Sequence, residues 1–223
     1  MWRLYQFALC PFSRKVRLLL SEKGVPYELR DVLPWDNDPA FRQLNHTGRT
    51  PAMHDPDRGI VLADSRAICE FFEETVPQNS MMLGSAEQRA EIRRLVAWFE
   101  EQFYAQVTWP LMHGRLIARP RNGADRAKVL LADTQRNADA HLDEIGFLLG
   151  NRSWLAGPTL SLADLAAAAQ ISVADYLGGI DWSGHEQAKT WYAVLRSRRS
   201  FRPLLAERMC GIEPPPHYAD LNT

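Results

Sequence analysis

Residues 9–24 read LCPFSRKVRLLLSEKG, and within this stretch a strand is followed at once by an amphipathic helix. Trp2 to Leu9 alternates apolar and polar residues and predicts the strand. From Ser13 to Lys23, apolar side chains recur at helical spacing, and Gly24 has the place of a glycine that ends a helix. The stretch therefore predicts the first strand and helix of a βαβ unit.

The residues that follow complete the pattern of one small α/β domain. They predict, in order, a strand at Tyr27–Val32, a loop with a short helical piece at Pro34–Leu44, strands at Thr50–His54 and Gly59–Ala63, and a helix at Asp64–Thr75. The polar residues 55–59, DPDRG, predict a hairpin turn between the last two strands. A parallel βαβ unit followed by an antiparallel hairpin is the thioredoxin-like order.

Beyond this domain the sequence is helical in period. We predict a thioredoxin-like domain at 1–78, a linker at 79–86, an all-helical domain at 87–210 and a proline-rich tail at 211–223. Apolar residues that recur every four positions predict one long helix, kinked by Pro110: Leu95, Phe99, Phe103, Val107 and Leu111. Further helices are predicted at Ala124–Leu149, Ser161–Leu177, Glu186–Ser197 and Arg202–Arg208.

Composition excludes several classes of function. The 223 residues carry a formal net charge of -1, which favours neither nucleic acid nor a membrane surface. No apolar run approaches the roughly 18 residues that a membrane-spanning helix needs. Three scattered cysteines favour a reducing compartment, so we expect a cytoplasmic protein, and six scattered histidines lack the spacing of metal ligands. We therefore expect no metal, no nucleic acid and no membrane insertion.

The first candidate for chemistry is the Cys10–Ser13 turn. A thiol at a helix N-terminus meets free backbone N–H groups and the positive end of the helix dipole, which stabilise its thiolate. Cys10 and Ser13 are therefore candidate catalytic residues. The alternative is that Cys10 is a small buried residue and Ser13 only the N-cap of the helix. The sequence leaves both interpretations open.

Two further dipeptides are candidate ligand-binding groups. Thr50 and Pro51 stand directly before a strand, where a cis proline would let the backbone pair with an extended peptide. Asp64 and Ser65 open a helix, where a carboxylate could meet Ser65 and the backbone amides, and an ammonium group could meet Asp64. A rigid turn and plain helix capping are the respective alternatives.

Taken together, these motifs resemble the glutathione S-transferase superfamily. The resemblance rests on Cys10-Pro11-Phe12-Ser13, Thr50-Pro51, Asp64-Ser65-Arg66-Ala67-Ile68 and Leu160-Ser161-Leu162-Ala163-Asp164, in that order. It covers essentially the whole chain. It implies a thioredoxin-like domain followed by a helical one, glutathione as a co-substrate and a homodimer.

A narrower resemblance is to the FtsZ-localized protein A family of alphaproteobacteria. It is carried by LCPFSRKVR at 9–17, RLVAWF at 94–99, SVADYLG at 172–178, RRSFRPLLA at 198–206 and PPHYADL at 215–221. The resemblance implies a cell-division regulator that binds FtsZ polymers. It also implies partner contacts near the Pro34-Trp35 pair and in the tail, so Trp35, Tyr218, Asp220 and Leu221 are the candidate contact residues.

Two hypotheses of function follow. In the first, the chain binds FtsZ polymers, and its tail is a semi-rigid docking element with apolar anchors. In the second, it is a glutathione-dependent transferase or thiol transferase that acts through Cys10 or Ser13 on an unknown electrophile or mixed disulfide. The tail itself has an alternative role, because it could fold back over the helical domain.

Overall fold

A computed structural model describes residues 1–117 and 124–219 of the chain, with the side chains of helix 124–149 described from residue 132 onward. The chain forms two compact units, Met1–Met82 and Leu83–Thr223. The first is a four-stranded sheet with three helices, and the second is helical. This architecture confirms the predicted glutathione-transferase fold, with a thioredoxin-like domain followed by a helical one.

The first unit follows the predicted order of strands and helices. Its elements are β1 (Trp2–Gln6), α1 (Pro11–Lys23), β2 (Tyr27–Asp31), α2 (Pro39–Leu44), β3 (Ala52–Asp55), β4 (Ile60–Ala63) and α3 (Ser65–Thr75). The sheet has the order β2-β1-β3-β4. β1 pairs in parallel with β2 and antiparallel with β3, and β3 pairs antiparallel with β4. The parallel βαβ unit and the hairpin therefore share one sheet.

The first strand is shorter than predicted. β1 ends at Gln6 rather than at Leu9, because the Cys10 amide donates to the Phe7 carbonyl at 2.8 Å and turns the chain. This turn allows α1 to begin at Pro11, where a proline lacks only an N–H that the helix would not use. Gly24 ends α1 in the left-handed conformation, with φ of 69°, as the sequence predicted.

A buried lysine joins the ends of α1 and α3. The Lys23 ammonium lies 3.1 Å from a Glu73 carboxylate oxygen, and it also donates to the Val76 carbonyl at 2.7 Å. Both side chains are buried, and a buried ion pair is tolerated when its remaining donors are also satisfied. The pair therefore fixes how these two helices terminate.

The helical unit contains α4 (Ala86–Trp98), α5 (Trp109–Met112), α6 (Ala124–Leu149), α7 (Leu162–Tyr176), α8 (Glu186–Ser197) and α9 (Arg202–Ala206). A 3-10 turn follows at Pro216–Ala219. All fifteen residues of α7 are buried, so this helix forms the centre of the unit. None of the helices among the described residues combines the length and the apolar composition that crossing a bilayer requires.

The predicted long helix is interrupted by π-helical segments at Phe99–Thr108 and His113–Ile117. The four-residue apolar repeat is the physical reason for this departure. On a regular α-helix of 3.6 residues per turn, positions four apart drift steadily around the axis. The wider turn of a π-helix drifts in the opposite direction, so α-helical and π-helical segments in succession keep these positions on one face. Leu95, Phe99, Phe103, Val107 and Leu111 are accordingly all buried.

Candidate functional site: the sheet edge and the C-terminal tail

Three of the predicted motifs meet at one edge of the sheet. Ala52 pairs with both Tyr5 and Ala63, so the end of β1, the start of β3 and the end of β4 lie side by side. Cys10 follows β1, Thr50-Pro51 precedes β3, and Asp64-Ser65 follows β4. The fold thus brings these residues to a common edge, although they are up to 55 positions apart in the sequence.

Cys10 is the N-cap of α1 and is only 8% exposed. Its thiol donates a hydrogen bond to the Thr50 carbonyl oxygen, with Sγ and O 3.5 Å apart. This contact joins the first motif directly to the second. It requires the proton on Sγ, so Cys10 must give up the bond to Thr50 before it can act as a thiolate.

Ser13 lies inside α1 rather than at its N-cap. The helix begins at Pro11, which makes Cys10 the cap and Ser13 the third helical residue, so the capping role considered for Ser13 is wrong. The Ser13 side chain is fully buried, and its hydroxyl has no hydrogen-bond partner among the described residues. Burying a hydroxyl that makes no hydrogen bond costs free energy. Hydrogen bonding within the protein therefore does not explain why Ser13 is buried.

The Thr50–Pro51 peptide bond is cis, as the sequence predicted. The loop before it is held by Asn45, whose side chain donates to the Arg49 carbonyl at 2.7 Å and accepts from the Thr47 hydroxyl at 2.9 Å. Pro51 is buried and Thr50 is half-buried. The loop therefore presents the Thr50 backbone at the sheet edge in a defined conformation.

Asp64 caps α3. Its carboxylate accepts from the Arg66 amide at 2.7 Å, and its backbone has φ of 76°, in the left-handed region that a side chain rarely adopts. Ser65 is buried as the first residue of the helix, whereas Asp64 is exposed. The capping alternative is thus present in the structure. The other carboxylate oxygen of Asp64 takes no part in this hydrogen bond. It belongs to an exposed side chain at the edge of the sheet where the three motifs meet.

Trp35 stands at the same edge. It follows β2, and its ring meets the Phe7 ring edge-on, with centroids 5.7 Å apart. The Trp35 side chain is 54% exposed. Of the predicted partner-contact residues, Trp35 is the one whose side chain is exposed in the described part of the chain.

The C-terminal tail folds back onto the helical unit, at least through residue 219. Tyr218 is fully buried, and its ring meets the Tyr176 ring edge-on at 5.1 Å. The Arg196 guanidinium donates to the carbonyls of His217 and Tyr218 at 3.0 and 2.7 Å. Tyr218 is therefore an intramolecular anchor in this structure. Asp220 and Leu221 lie outside the described residues.

Asp164 organises the start of α7. Its carboxylate accepts from the Leu155 and Ser161 amides, the Ser161 hydroxyl and the Trp191 indole, at 2.8 to 3.0 Å. Ser161 and Asp164 form a capping box at the start of the helix. Burial raises the pKa of Asp164 above its usual value, and these hydrogen bonds act in the opposite direction.

Sequence reasoning missed two functional-looking side chains of the helical unit. Arg196 stands among several basic residues near the end of α8, a pattern typical of an exposed helix end, yet it is buried. Asp175 interrupts the apolar sequence of α7, and it is fully buried, with its carboxylate 2.9 Å from the His217 ring of the tail. The one indication in the sequence is the position of Asp175, because a carboxylate within an otherwise apolar helix is expected to have a buried partner.

The three cysteines differ in exposure. Cys10 and Cys69 are buried, whereas Cys210 is exposed. Across the described residues, no three His, Cys, Asp or Glu side chains are grouped so that they could share a metal ion.

Comparison with known proteins agrees with this fold. Residues 9–75 match the family model "Glutathione S-transferase, N-terminal domain". The chain is 40% identical to FtsZ-localized protein A of Caulobacter vibrioides over 221 residues, covering 98% of this chain and 97% of that one. It is also similar to a glutathione S-transferase structure from Rhodospirillum rubrum, with 43% identity, full coverage of both chains and a TM-score of 0.94.

A more distant structure, a glutathione S-transferase of Methylobacterium radiotolerans in complex with glutathione sulfonate, is 26% identical. The match covers 93% of this chain and 97% of that one, with a TM-score of 0.77. The sheet edge, the helical unit and the similarity along almost the whole length point to one conclusion. The chain belongs to the FtsZ-localized protein A family and has the glutathione S-transferase fold.

Proposed function

We propose that this chain is a cytoplasmic, homodimeric cell-division regulator that binds FtsZ polymers. The observation that carries the proposal is the 40% identity to FtsZ-localized protein A along 98% of the chain. The half-exposed Trp35 supports it, because large aromatic side chains are the usual anchors of protein interfaces. Asp220 and Leu221 of the tail are the other proposed contacts.

Co-sedimentation with FtsZ polymers tests the proposal. We expect the full chain to pellet with polymer at micromolar concentration, and Trp35→Ala to weaken binding by about tenfold or more, as for an interface anchor. Phe147→Ala is the matched control and should leave binding unchanged. Phe147 is an aromatic residue of α6 whose side chain is 74% exposed. A wild-type protein that stays in the supernatant at moderate salt would refute the proposal.

The homodimer is tested separately by sedimentation velocity. We expect twice the chain mass of 25.4 kDa at micromolar concentration. A single species of monomer mass would refute the dimer without affecting the FtsZ proposal.

A second candidate function is glutathione binding at the sheet edge, with Cys10 or Ser13 as the reacting group of a transferase or thiol transferase. The observation that favours it is the meeting of Cys10, Thr50-Pro51 and Asp64-Ser65 at one edge. The Thr50 backbone would pair with the cysteinyl part of glutathione. Ser65 with the α3 amides would hold a carboxylate, and Asp64 the ammonium group.

Calorimetry with reduced glutathione tests this candidate. We expect binding at millimolar concentration or tighter, weakened by Ser65→Ala and unaffected by Ser183→Ala, an exposed serine of the helical unit. Absence of heat at millimolar glutathione would exclude the candidate. That result would leave the FtsZ proposal intact, since the two functions use different ligands.

A further inference from the structure

The helical unit contains a mainly apolar cleft between α8 and the loop that follows α6. We call it the α8 cleft. Its volume is about 390 Å³, which is within the range of small-molecule sites. Two tryptophans, two aliphatic residues and two residues of opposite charge are among the side chains that line it: Leu149, Trp154, Trp191, Val194, Arg152 and Glu186.

Hydrogen bonds hold the walls of the α8 cleft in place. The buried Trp191 ring donates its indole N–H to the Asp164 carboxylate at 3.0 Å, and the same carboxylate accepts from the Leu155 amide at 2.9 Å. The amides and carbonyls of Trp154 and Gly157 bond to each other at 2.9 and 3.1 Å. The cleft is therefore formed without a ligand, and a ligand that enters it orders little of the protein.

Arg152 provides a polar anchor at this cleft. Its side chain is 34% exposed, and its Nη1 donates to the Leu155 carbonyl at 2.8 Å and to the Glu91 carboxylate at 3.0 Å. The other two nitrogens, Nε and Nη2, donate no hydrogen bond to any described residue. Together they form one edge of the planar guanidinium, and such an edge matches the two oxygens of a carboxylate.

The positive charge of Arg152 is only partly compensated within the protein. Glu91 also binds Arg94 through both carboxylate oxygens, at 2.7 and 3.0 Å. These contacts, chiefly the hydrogen bond from Arg94, lower the pKa of Glu91 to about 2, so Glu91 is ionised and shares one negative charge between two guanidiniums. Glu144 also acts on Arg94, but among the described residues it has no hydrogen bond to either guanidinium. Arg152 therefore favours an anion at its open edge.

We propose that the α8 cleft binds a small aromatic carboxylate. The ring lies against Trp154 and Trp191, whose flat side chains suit a flat ligand, and the carboxylate meets the Nε and Nη2 edge of Arg152. Glu186 is the opposing charge of the lining, so it limits the affinity for an anion. The site lies wholly in the helical unit, and its ligand is neither FtsZ nor glutathione. Its test is therefore independent of both proposals above.

The experiment uses 2-naphthoate as the probe and the full-length protein. We expect calorimetry to give a Kd of about 1 mM or tighter, as for a ligand of this size. The indole N–H signal of Trp154, assigned as the one that Trp154→Phe removes, should shift in nitrogen–proton correlation spectra during the titration. Two comparison ligands separate charge from ring. The uncharged 2-naphthalenemethanol and the aliphatic decanoate should each bind several-fold more weakly than 2-naphthoate.

Substitutions in the lining locate the binding. Arg152→Gln should weaken 2-naphthoate binding by about tenfold or more, because charge-assisted hydrogen bonds are lost. Glu186→Gln should strengthen it by about threefold, since a repelling charge is removed. Val194→Glu adds a negative charge at a position that is 48% exposed, so it should weaken binding and keeps the test valid if Arg152→Gln fails to fold. Arg136→Gln, at an exposed arginine that pairs with Asp133, is the control and should change nothing.

The possible results decide the proposal in either direction. Weakening by Arg152→Gln or Val194→Glu, together with a shifted Trp154 signal, would support it. Binding of 2-naphthoate that is insensitive to both substitutions would place the ligand elsewhere and overturn the proposal. Equal binding of 2-naphthalenemethanol would refute the role of Arg152, and equal binding of decanoate would refute the preference for an aromatic ring. No heat and no signal shift at several millimolar 2-naphthoate would exclude the site.

Discussion

At the scale of single residues, the helical unit depends on a few buried polar side chains. Asp164 is the strongest case, since four donors converge on one carboxylate at the start of α7. Removing an acceptor of this kind leaves buried N–H groups without partners, which costs more than the hydrogen bonds themselves contribute. The polar residues of the core thus have effects as large as those of its apolar residues.

We expect Asp164→Ala to lower the free energy of unfolding by about 3 kcal/mol or more, because two amides, a hydroxyl and an indole lose their acceptor. Urea denaturation followed by circular dichroism measures the change. Asp133→Ala is the control, since Asp133 is exposed and pairs with a neighbouring arginine, and surface pairs contribute at most about 1 kcal/mol. Equal effects of the two substitutions would contradict this account of Asp164.

His141 gives the stability a defined pH dependence. Burial lowers the pKa of its imidazole from 6.5 to about 4, and its Nε2 lies 2.9 Å from the Gln106 side-chain oxygen. The unfolded chain therefore takes up a proton near pH 6.5 that the folded chain refuses until near pH 4. The contribution of His141 to the free energy of unfolding is therefore fully present above pH 6.5, and it is lost as the pH decreases toward 4.

We expect this loss to be about 2 kcal/mol, after allowance for solvent screening. It is measured as the difference in unfolding free energy between pH 7 and pH 4.5. His141→Phe should remove this part of the dependence, whereas His113→Gln, at an exposed position, should retain it. A His141→Phe protein with an unchanged pH profile would show that His141 titrates normally.

At the scale of elements, the strands and helices of the first unit could be predicted almost completely from the sequence. Alternating and helical periods, Gly24 and the turn at 55–59 act through neighbouring residues, which a sequence displays directly. The π-helical segment Phe99–Thr108 could not be predicted in this way. Its four-residue repeat was visible, but a repeat close to 3.6 is ordinarily assigned to an α-helix.

The buried face of the π-helical segment can be tested by substitution. Phe103 is fully buried and Gln102 is exposed, although they are adjacent. Phe103→Ala should lower the free energy of unfolding by roughly 3 to 5 kcal/mol, the usual range for a buried phenylalanine. Gln102→Ala should change it by less than about 0.5 kcal/mol. Chemical denaturation of both variants checks this, and a small effect at Phe103 would place the inward face elsewhere.

The candidate site was predicted unevenly, and the reason is the range of the interactions. Cys10, Thr50-Pro51 and Asp64-Ser65 were found because each motif has a local signature. The Cys10 to Thr50 hydrogen bond joins residues 40 positions apart, and the contact between Asp175 and His217 joins residues 42 positions apart. No local pattern marks such pairs. The burial of Tyr218 likewise depends on Tyr176 and Arg196, which only the folded unit brings to it.

At the scale of the whole molecule, the position of Tyr218 changes how the tail should be shortened. A chain that ends at Ala219 keeps the buried Tyr218 and its hydrogen bond from Arg196, whereas one that ends at His217 loses a fully buried side chain. We expect the first to keep the melting temperature of the full protein and the second to melt several degrees lower. In FtsZ co-sedimentation, both should be weakened, since both lack the proposed contacts.

Calorimetric scans of the two shortened proteins measure this difference. If both melted at the temperature of the full chain, Tyr218 would contribute little to the helical unit. If the chain that ends at Ala219 bound FtsZ normally, the proposed contacts at Asp220 and Leu221 would be refuted. The structure thus separates a stabilising part of the tail from the part proposed to bind a partner.

The unequal exposure of the three cysteines makes the natural chain a labelling substrate. A maleimide dye or spin label applied to the folded protein should react at Cys210, because Cys10 and Cys69 are shielded. Cys210 lies in a short turn closed by the Met209–Ile212 bridge, and the Met209 amide donates to the Tyr176 hydroxyl at 2.9 Å. A single probe would therefore sit on a short tether beside the tail, and its anisotropy or spectral width would follow tail motion without any engineered site.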